Sequence, residues 1–251
     1  MIEWVSTRTL TFFMENIPSW QTALSAGPPF LLGSYLCLYV AGRLKRDLGL
    51  KTGYTRKIFH FLIFTSAALV HALQGTRGVC LFGAMASAVI FHALLQGRGG
   101  LLYEALAREK DRPHRTYFIL APYLATLIGG LVSNILFGGA ALAGYLVTGL
   151  GDAAGEPVGT RFGHHPYRAP SPRGVSITRT VEGSLAVFVA ATAALGIAAV
   201  LSPDLMFTPR TFFLIPLMGA GCALVEAVSP HGWDNAVLQI LPSGSAFWLL
   251  G

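Results

Sequence analysis

The residues best suited to chemistry in this chain lie in one short stretch, Gly149 to Gly163, which reads GLGDAAGEPVGTRFG. Asp152 and Glu156 stand four apart in it, glycines occupy 149, 151, 155, 159 and 163, and Arg161 lies near its end. Small residues let a backbone come close to a phosphate, and the free N–H groups of a Gly-rich turn can cradle it. Two carboxylates suit Mg²⁺, which binds through one or two acids plus substrate phosphates. Arg161 can grip a phosphate oxygen. The stretch reads as a nucleotide-phosphate and Mg²⁺ site at the end of a membrane helix, with Gly151, Gly155, Gly159 and Gly163 as its cradle. Gly149-x-Gly151-x-x-Ala154 also fits the loose dinucleotide fingerprint, but that pattern needs a strand before it. An apolar run, Gly138 to Leu150, precedes it instead. The plainer alternative is a polar inter-helix loop whose glycines serve turns and close packing.

The elements that must position these residues are membrane helices. Of the 251 residues 53% are hydrophobic and only 12% charged, a balance that excludes an ordinary soluble domain. A spanning helix needs roughly 17–25 mostly apolar residues, and about seven runs approach that length. They are Pro28 to Gly42, Ile58 to about Leu73, Val79 to about Leu95, a close pair Tyr117 to Val132 and Ile135 to Leu150, Ser184 to Leu201, and Phe212 to Val228. A polar stretch, Gln96 to Arg115, precedes the pair, which breaks near Ser133-Asn134 and is followed by a long loop, Gly151 to Gly183; a last apolar stretch, Val237 to Leu250, is short enough to span or to lie re-entrant. The fold expected is an all-α bundle of about seven transmembrane helices. Residues 1–26 read as an interfacial or partly inserted segment, and 27–251 as one transmembrane catalytic domain. Cys37, Cys80 and Cys222 fall inside apolar runs and read as small hydrophobes.

Charge orients the bundle. Fifteen of the eighteen Lys and Arg residues fall in three loops on one face, leaving Arg8, Arg77 and Arg210 for the other. The positive-inside rule makes the basic face cytoplasmic, where nucleotide is available. The net charge of +6 is thereby explained without nucleic acid.

Four clusters converge on that face. Arg56, Lys57 and His60 open the second span, with Arg56 and His60 sharing a helix face. The run Arg108 to Arg115 reads as a solvated juxtamembrane charge run. In the stretch Ser176 to Ser184, Arg179 and Glu182 sit one turn apart, and Thr180 or Ser184 can cap the following helix. Glu226 near the end of the seventh span is followed by His231, Asp234 and Asn235; an acid so close to hydrocarbon is a functional-site candidate. His71 and His92 read as satisfied interior residues, and His164-His165 as a loop pair without metal spacing.

On these residues the chain resembles the CTP-dependent polyprenol and lipid-alcohol kinases. That grouping covers phytol kinase, dolichol kinase and CTP-dependent diacylglycerol kinase, and it is nearest to phytol kinase. The likeness rests on Arg56-Lys57-x-x-His60, Gly151-Asp152-Ala153-Ala154 through Gly159-x-x-Phe162-Gly163, Thr180-x-Glu182-Gly183-Ser184, and Glu226 with Asp234-Asn235. It covers roughly residues 40–240. The chain departs from it in a longer Pro- and Arg-rich loop before Glu182, and in having Arg179 near the place of a family lysine.

The resemblance implies transfer of the γ-phosphoryl of CTP to the hydroxyl of a long-chain lipid alcohol. Such transfer rests on positioning and charge neutralisation. Asp152 and Glu156 are expected to bind Mg²⁺, with Glu226, Asp234 and Asn235 adding oxygen ligands and Glu182 assisting. Arg56, Lys57, Arg161 and Arg179 are expected to hold phosphate oxygens, and His60 or a carboxylate to accept the alcohol proton. The expected partners are a nucleoside triphosphate, the lipid alcohol and membrane lipid, with no nucleic acid and an open oligomeric state. A phosphatidate cytidylyltransferase is the alternative within the grouping, and an ion-coupled transporter the remoter one.

Overall fold

The computed structural model describes residues 2–172, 177–202, 204–206 and 208–251, and for residues 2–6 the backbone alone. Arg173 and Ser176 of the sequence reading lie outside the described residues. The chain opens with α1 (Ile2–Asn16) and α2 (Trp20–Leu48). Ser19 caps α2, its hydroxyl accepting the Thr22 N–H at 3.1 Å, and Gly49 ends it at a positive φ of 65°. Helix α2 runs unbroken through residues 26 and 27.

Next come α3 (Thr52–Gln96), the short α4 (Leu101–Leu106) and α5 (Tyr117–Phe137). Then α6 (Ala141–Leu146) runs through a π-helical turn, Val147–Asp152, into α7 (Ala153–Phe162). Strands β1 (Pro166–Ala169) and β2 (Ile177–Thr180) pair antiparallel, with Tyr167 opposite Arg179. Helices α8 (Val181–Leu201), α9 (Thr211–Val228) and α10 (Asp234–Leu249) complete the fold.

The protein is an all-α membrane protein apart from this hairpin. Among the described residues, five helices are long and apolar enough to cross a bilayer: Trp20–Leu48, Thr52–Gln96, the composite Tyr117–Phe162, Val181–Leu201 and Thr211–Val228. Two of them are far too long for one crossing. At 1.5 Å per residue a 45-residue helix would run to roughly 67 Å, against a hydrocarbon core of about 30 Å. Each is broken by a glycine at positive φ, Gly75 at 66° and Gly138 at 54°. Helix α3 folds back there: Phe64, Ala67 and Ala68 before the break share one buried core with Val79 and Phe82 after it. Both its ends meet α4, Thr55 Oγ1 donating to the Ala105 carbonyl and Gln96 Oε1 accepting from Leu102 N–H, each at 3.1 Å.

Three expectations are corrected. The break near Ser133-Asn134 falls instead at Gly138, because Asn134 stays helical and donates to the Gly130 carbonyl at 2.8 Å. Gln96 to Arg115 is not a simple polar loop: α4 interrupts it, with Leu102, Tyr103 and Ala105 buried. Gly151 to Gly183 is not a long loop either, since it continues as helix to Phe162 and then pairs as a hairpin.

Candidate functional site

The site forms where the starts of α3, α7 and α10, the end of α9 and strand β2 converge around the segment after α4. Asp152 closes the π-helical turn, Glu226 lies in the last turn of α9, and Asp234 begins α10. All three are buried, and each places one carboxylate oxygen within 4.8 Å of the others. Three hard oxygens so close in a dry setting are self-repelling unless cations balance them.

The cations are in place. Lys57 Nζ donates to Asp152 Oδ2 at 2.7 Å, and His60 Nε2 lies 3.2 Å from the same oxygen and 3.1 Å from the Thr148 carbonyl. Both neighbours of Nε2 are acceptors, so that nitrogen carries the proton and His60 orients Asp152. Arg179 reaches from β2 to Glu226 at 2.9 Å and Asp234 at 3.2 Å, and donates to the Glu226, Ala227 and Ser229 carbonyls. Arg56, among Arg108, Glu156, Asp234 and Asp111, has a buried Nη1 with no hydrogen-bond partner.

Glu156, expected to join Asp152 on the metal, is instead held by Arg108 at 3.2 Å and Lys110 at 3.1 Å. It sits one turn from Asp152 on the same helix face but outside the carboxylate trio. Asn235 turns away as well. Its amide donates to Thr126 Oγ1 at 2.9 Å and the Pro122 carbonyl at 3.3 Å, tying α10 to α5.

Glu182 does not reach the trio. It pairs with His165 at 2.7 Å, and Arg179, on a strand rather than on the same helix turn, points elsewhere. Thr180 does cap α8, accepting the Gly183 N–H at 3.1 Å. Arg161 is exposed over the Phe162 ring and stands apart from the cavity.

The glycines have a different use from the one expected. Gly151, Gly155 and Gly159 are helical, so their N–H groups are not the free donors of a phosphate cradle. Spaced four apart, they line one helix face against α8. A Cβ at Gly155 would meet Val187 at 2.8 Å, one at Gly159 would meet Thr180 Oγ1 at 2.7 Å, and one at Gly151 would touch Ala191 at 3.4 Å. Gly163 follows the helix, its N–H on the Gly159 carbonyl at 3.1 Å. The period of four was the signal for this reading.

Residues that the sequence reading named but left outside the site complete it. Arg108 is buried rather than solvated, gripping Asp111 through two nitrogens at 3.0 and 3.1 Å and touching His231 Nε2. The apolar segment just before it, Leu101 to Ala107, carries it inward and was the available clue. Burial first, and then the Arg108 charge, push His231 well below the ordinary histidine range, so it is neutral. His71 is buried against Tyr145 as an interior residue, with Asn134 as its polar neighbour and Nε2 outside good hydrogen-bond geometry.

Together these side chains enclose a polar cavity of about 240 Å³, whose walls carry five cations (Arg56, Lys57, Arg108, Lys110 and Arg179) and four carboxylates. Beneath it lies an apolar cavity of about 440 Å³ between α1, both legs of α3, α5 and α10. Arg56 and His60 line both cavities.

No family model, curated protein or solved structure matches the chain.

Proposed function

We propose that this protein is a membrane-embedded lipid-alcohol kinase that moves the γ-phosphoryl of a nucleoside triphosphate, CTP by resemblance, to a long-chain alcohol. The observation that carries the reading is the junction at Arg56 and His60, where a cation-rich polar cavity adjoins an apolar one. A phosphoryl donor and a lipid hydroxyl can meet there.

Seven bilayer crossings follow if α3 and the composite α5–α7 each count twice. The positive-inside rule then puts the polar cavity on the cytoplasmic side. The polar cavity is smaller than the roughly 300 Å³ at the low end of ligand pockets, so it suits the polyphosphate, with the base toward solvent.

The donor set of Asp152, Glu226 and Asp234 fits a hard cation such as Mg²⁺. When bound there, such an ion would neutralise phosphate charge. The chain's own residues supply the rest. Arg56, with its unpartnered Nη1, receives a phosphate oxygen; Lys57 and Arg108 add positive charge beside it. His60 holds Asp152 in register. As the alcohol oxygen bonds to phosphorus and the bridging oxygen leaves with the nucleoside diphosphate, a carboxylate of the trio takes the alcohol proton. The tail lies in the apolar cavity.

The test uses membranes containing the protein, Mg²⁺, a panel of lipid alcohols and phosphatidate, and CTP labelled at the α or the γ phosphate. Lipid labelled by the γ position alone is the expected result. Lipid labelled by the α position alone means cytidylyl transfer and overturns the reading, as does no transfer from either CTP or ATP.

A further inference from the structure

The apolar cavity is not uniformly apolar. Around Gly130, deep in its wall, three polar side chains face one another: Asn134 and Gln239, both buried, and Tyr145. A Cβ placed on Gly130 would stand 3.2 Å from Gln239 Oε1 and 3.6 Å from the Tyr145 hydroxyl, and Asn134 Nδ2 donates to that hydroxyl at 2.6 Å. Gln239 Oε1 has no hydrogen-bond partner, and Asn134 Oδ1 has only the His71 ring as a neighbouring donor, outside good hydrogen-bond geometry.

Those oxygens are not misassigned nitrogens. The Gln239 amide nitrogen donates to the Asn235 carbonyl at 2.9 Å and the Thr126 carbonyl at 3.2 Å, and that of Asn134 to the Gly130 carbonyl at 2.8 Å. Flipping either amide would set oxygen against carbonyl oxygen. Both amides are therefore locked in orientation, the acceptor of Gln239 left over and that of Asn134 shared at most with the His71 ring. Such oxygens, buried at membrane depth, are costly without a donor. A saturated hydrocarbon tail offers none.

We propose that the cavity holds a second recognition point, formed by Gln239, Asn134 and Tyr145, for a hydroxyl carried part-way along the acceptor's tail. This rests on the lipid-alcohol reading and narrows it to tails bearing a hydrogen-bond donor. Gln239 lies five residues along α10 from Asp234, and Tyr145 seven before Asp152. The second hydroxyl therefore sits roughly 8–10 Å deeper than the carboxylates, at 1.5 Å per residue. A hydroxyl fits better than an amine or an ester. It can donate to the Gln239 oxygen, and its own oxygen can accept in return, whereas an ester brings only more acceptors.

The experiment uses the full chain in lipid nanodiscs and a series of hexadecanol and hexadecanediols whose second hydroxyl steps along the chain. Binding is measured without nucleotide, by displacement of labelled hexadecanol, and transfer is measured separately from γ-labelled CTP. One interior diol is expected to bind about ten-fold more tightly than hexadecanol, the worth of one buried hydrogen bond rescued. The preference is expected to disappear in Gly130→Ala, which fills the space without removing a polar group, and in Gln239→Met. A flat series, or a preference that survives in both variants because water alone serves these oxygens, overturns the proposal. A preference in binding without any transfer upholds it while removing the kinase reading. Equal binding and transfer across the series does the reverse.

Discussion

Two clusters of charge share the basic end of this molecule, built from the same residue types and put to opposite uses. In the first, Lys45 donates to Thr52, to the Glu104 carbonyl and to Glu109, at 2.6, 2.8 and 3.0 Å. Arg115 grips Glu104 through two nitrogens at 3.2 and 2.7 Å and donates to the Ala107 and Arg108 carbonyls. These groups spend their hydrogen bonds on one another and on backbone, and they line neither the polar nor the apolar cavity. In the second, cations and carboxylates surround about 240 Å³ of space, and Arg56 Nη1 is left without a partner. Ion pairs alone do not separate a brace from a binding site. What separates them is whether a donor and a volume remain unspent.

The largest expected effect tests the open cluster. Asp152→Asn removes the carboxylate that Lys57 and His60 hold, and transfer of γ-label should fall by about 10²–10³-fold, as for other preorganised charge stabilisers. The variant should remain inserted and monodisperse, as size-exclusion in detergent would report. Transfer close to the parent's rate would take the trio out of the chemistry. The matching change in the closed cluster is Glu104→Gln. It removes the nearer of Arg115's two carboxylates, leaving Glu109 at 3.8 Å, and should lower stability by about 1.5–3 kcal/mol, seen as a reduced melting temperature, with transfer retained below that temperature. Lost transfer at unchanged stability would merge the two clusters into one site.

A smaller effect sharpens the role of Arg56. Arg56→Lys keeps the charge and removes the planar fork, so KM for the nucleotide should rise about ten-fold with kcat less affected. A membrane-edge anchor would tolerate lysine, and an unmoved KM would assign Arg56 to that duty.

Much of this contrast was legible beforehand, and the limits were physical. Apolar run lengths and Lys/Arg asymmetry gave the membrane class and brought Asp152, Glu226 and Asp234 to one end. Chain breaks were harder, because a glycine such as Gly75 or Gly138 ends a helix by adopting positive φ, which hydropathy does not register. The glycine run misled for the same reason: Gly155 serves a phosphate cradle or a helix contact equally well until Val187 is seen 2.8 Å from where its Cβ would be. Glu156 and Arg108 were misjudged because a charge's partner is set by tertiary approach, here across 48 positions of sequence. Arg56 was found, but its unspent donor is visible only in three dimensions.

The smallest effect concerns acid, and it tells the two clusters apart without any substrate. Burial works against the charged form of Glu104, yet bonds from Arg115 and the Gly99 N–H outweigh it and hold the carboxyl down at about 2 rather than 4.5. A carboxylate whose folded value lies below its unfolded one contributes stability above the unfolded value and loses it as pH falls toward the folded one. The parent should therefore melt above Glu104→Gln near neutral pH. The gap should close as pH is lowered from about 4.5 toward 2, because a protonated Glu104 is nearly the glutamine variant. Melting curves of both proteins across that range supply the check. A gap independent of pH would mean that the closed cluster is held by packing rather than by charge, and the contrast with the open one would then have to rest on the cavity alone.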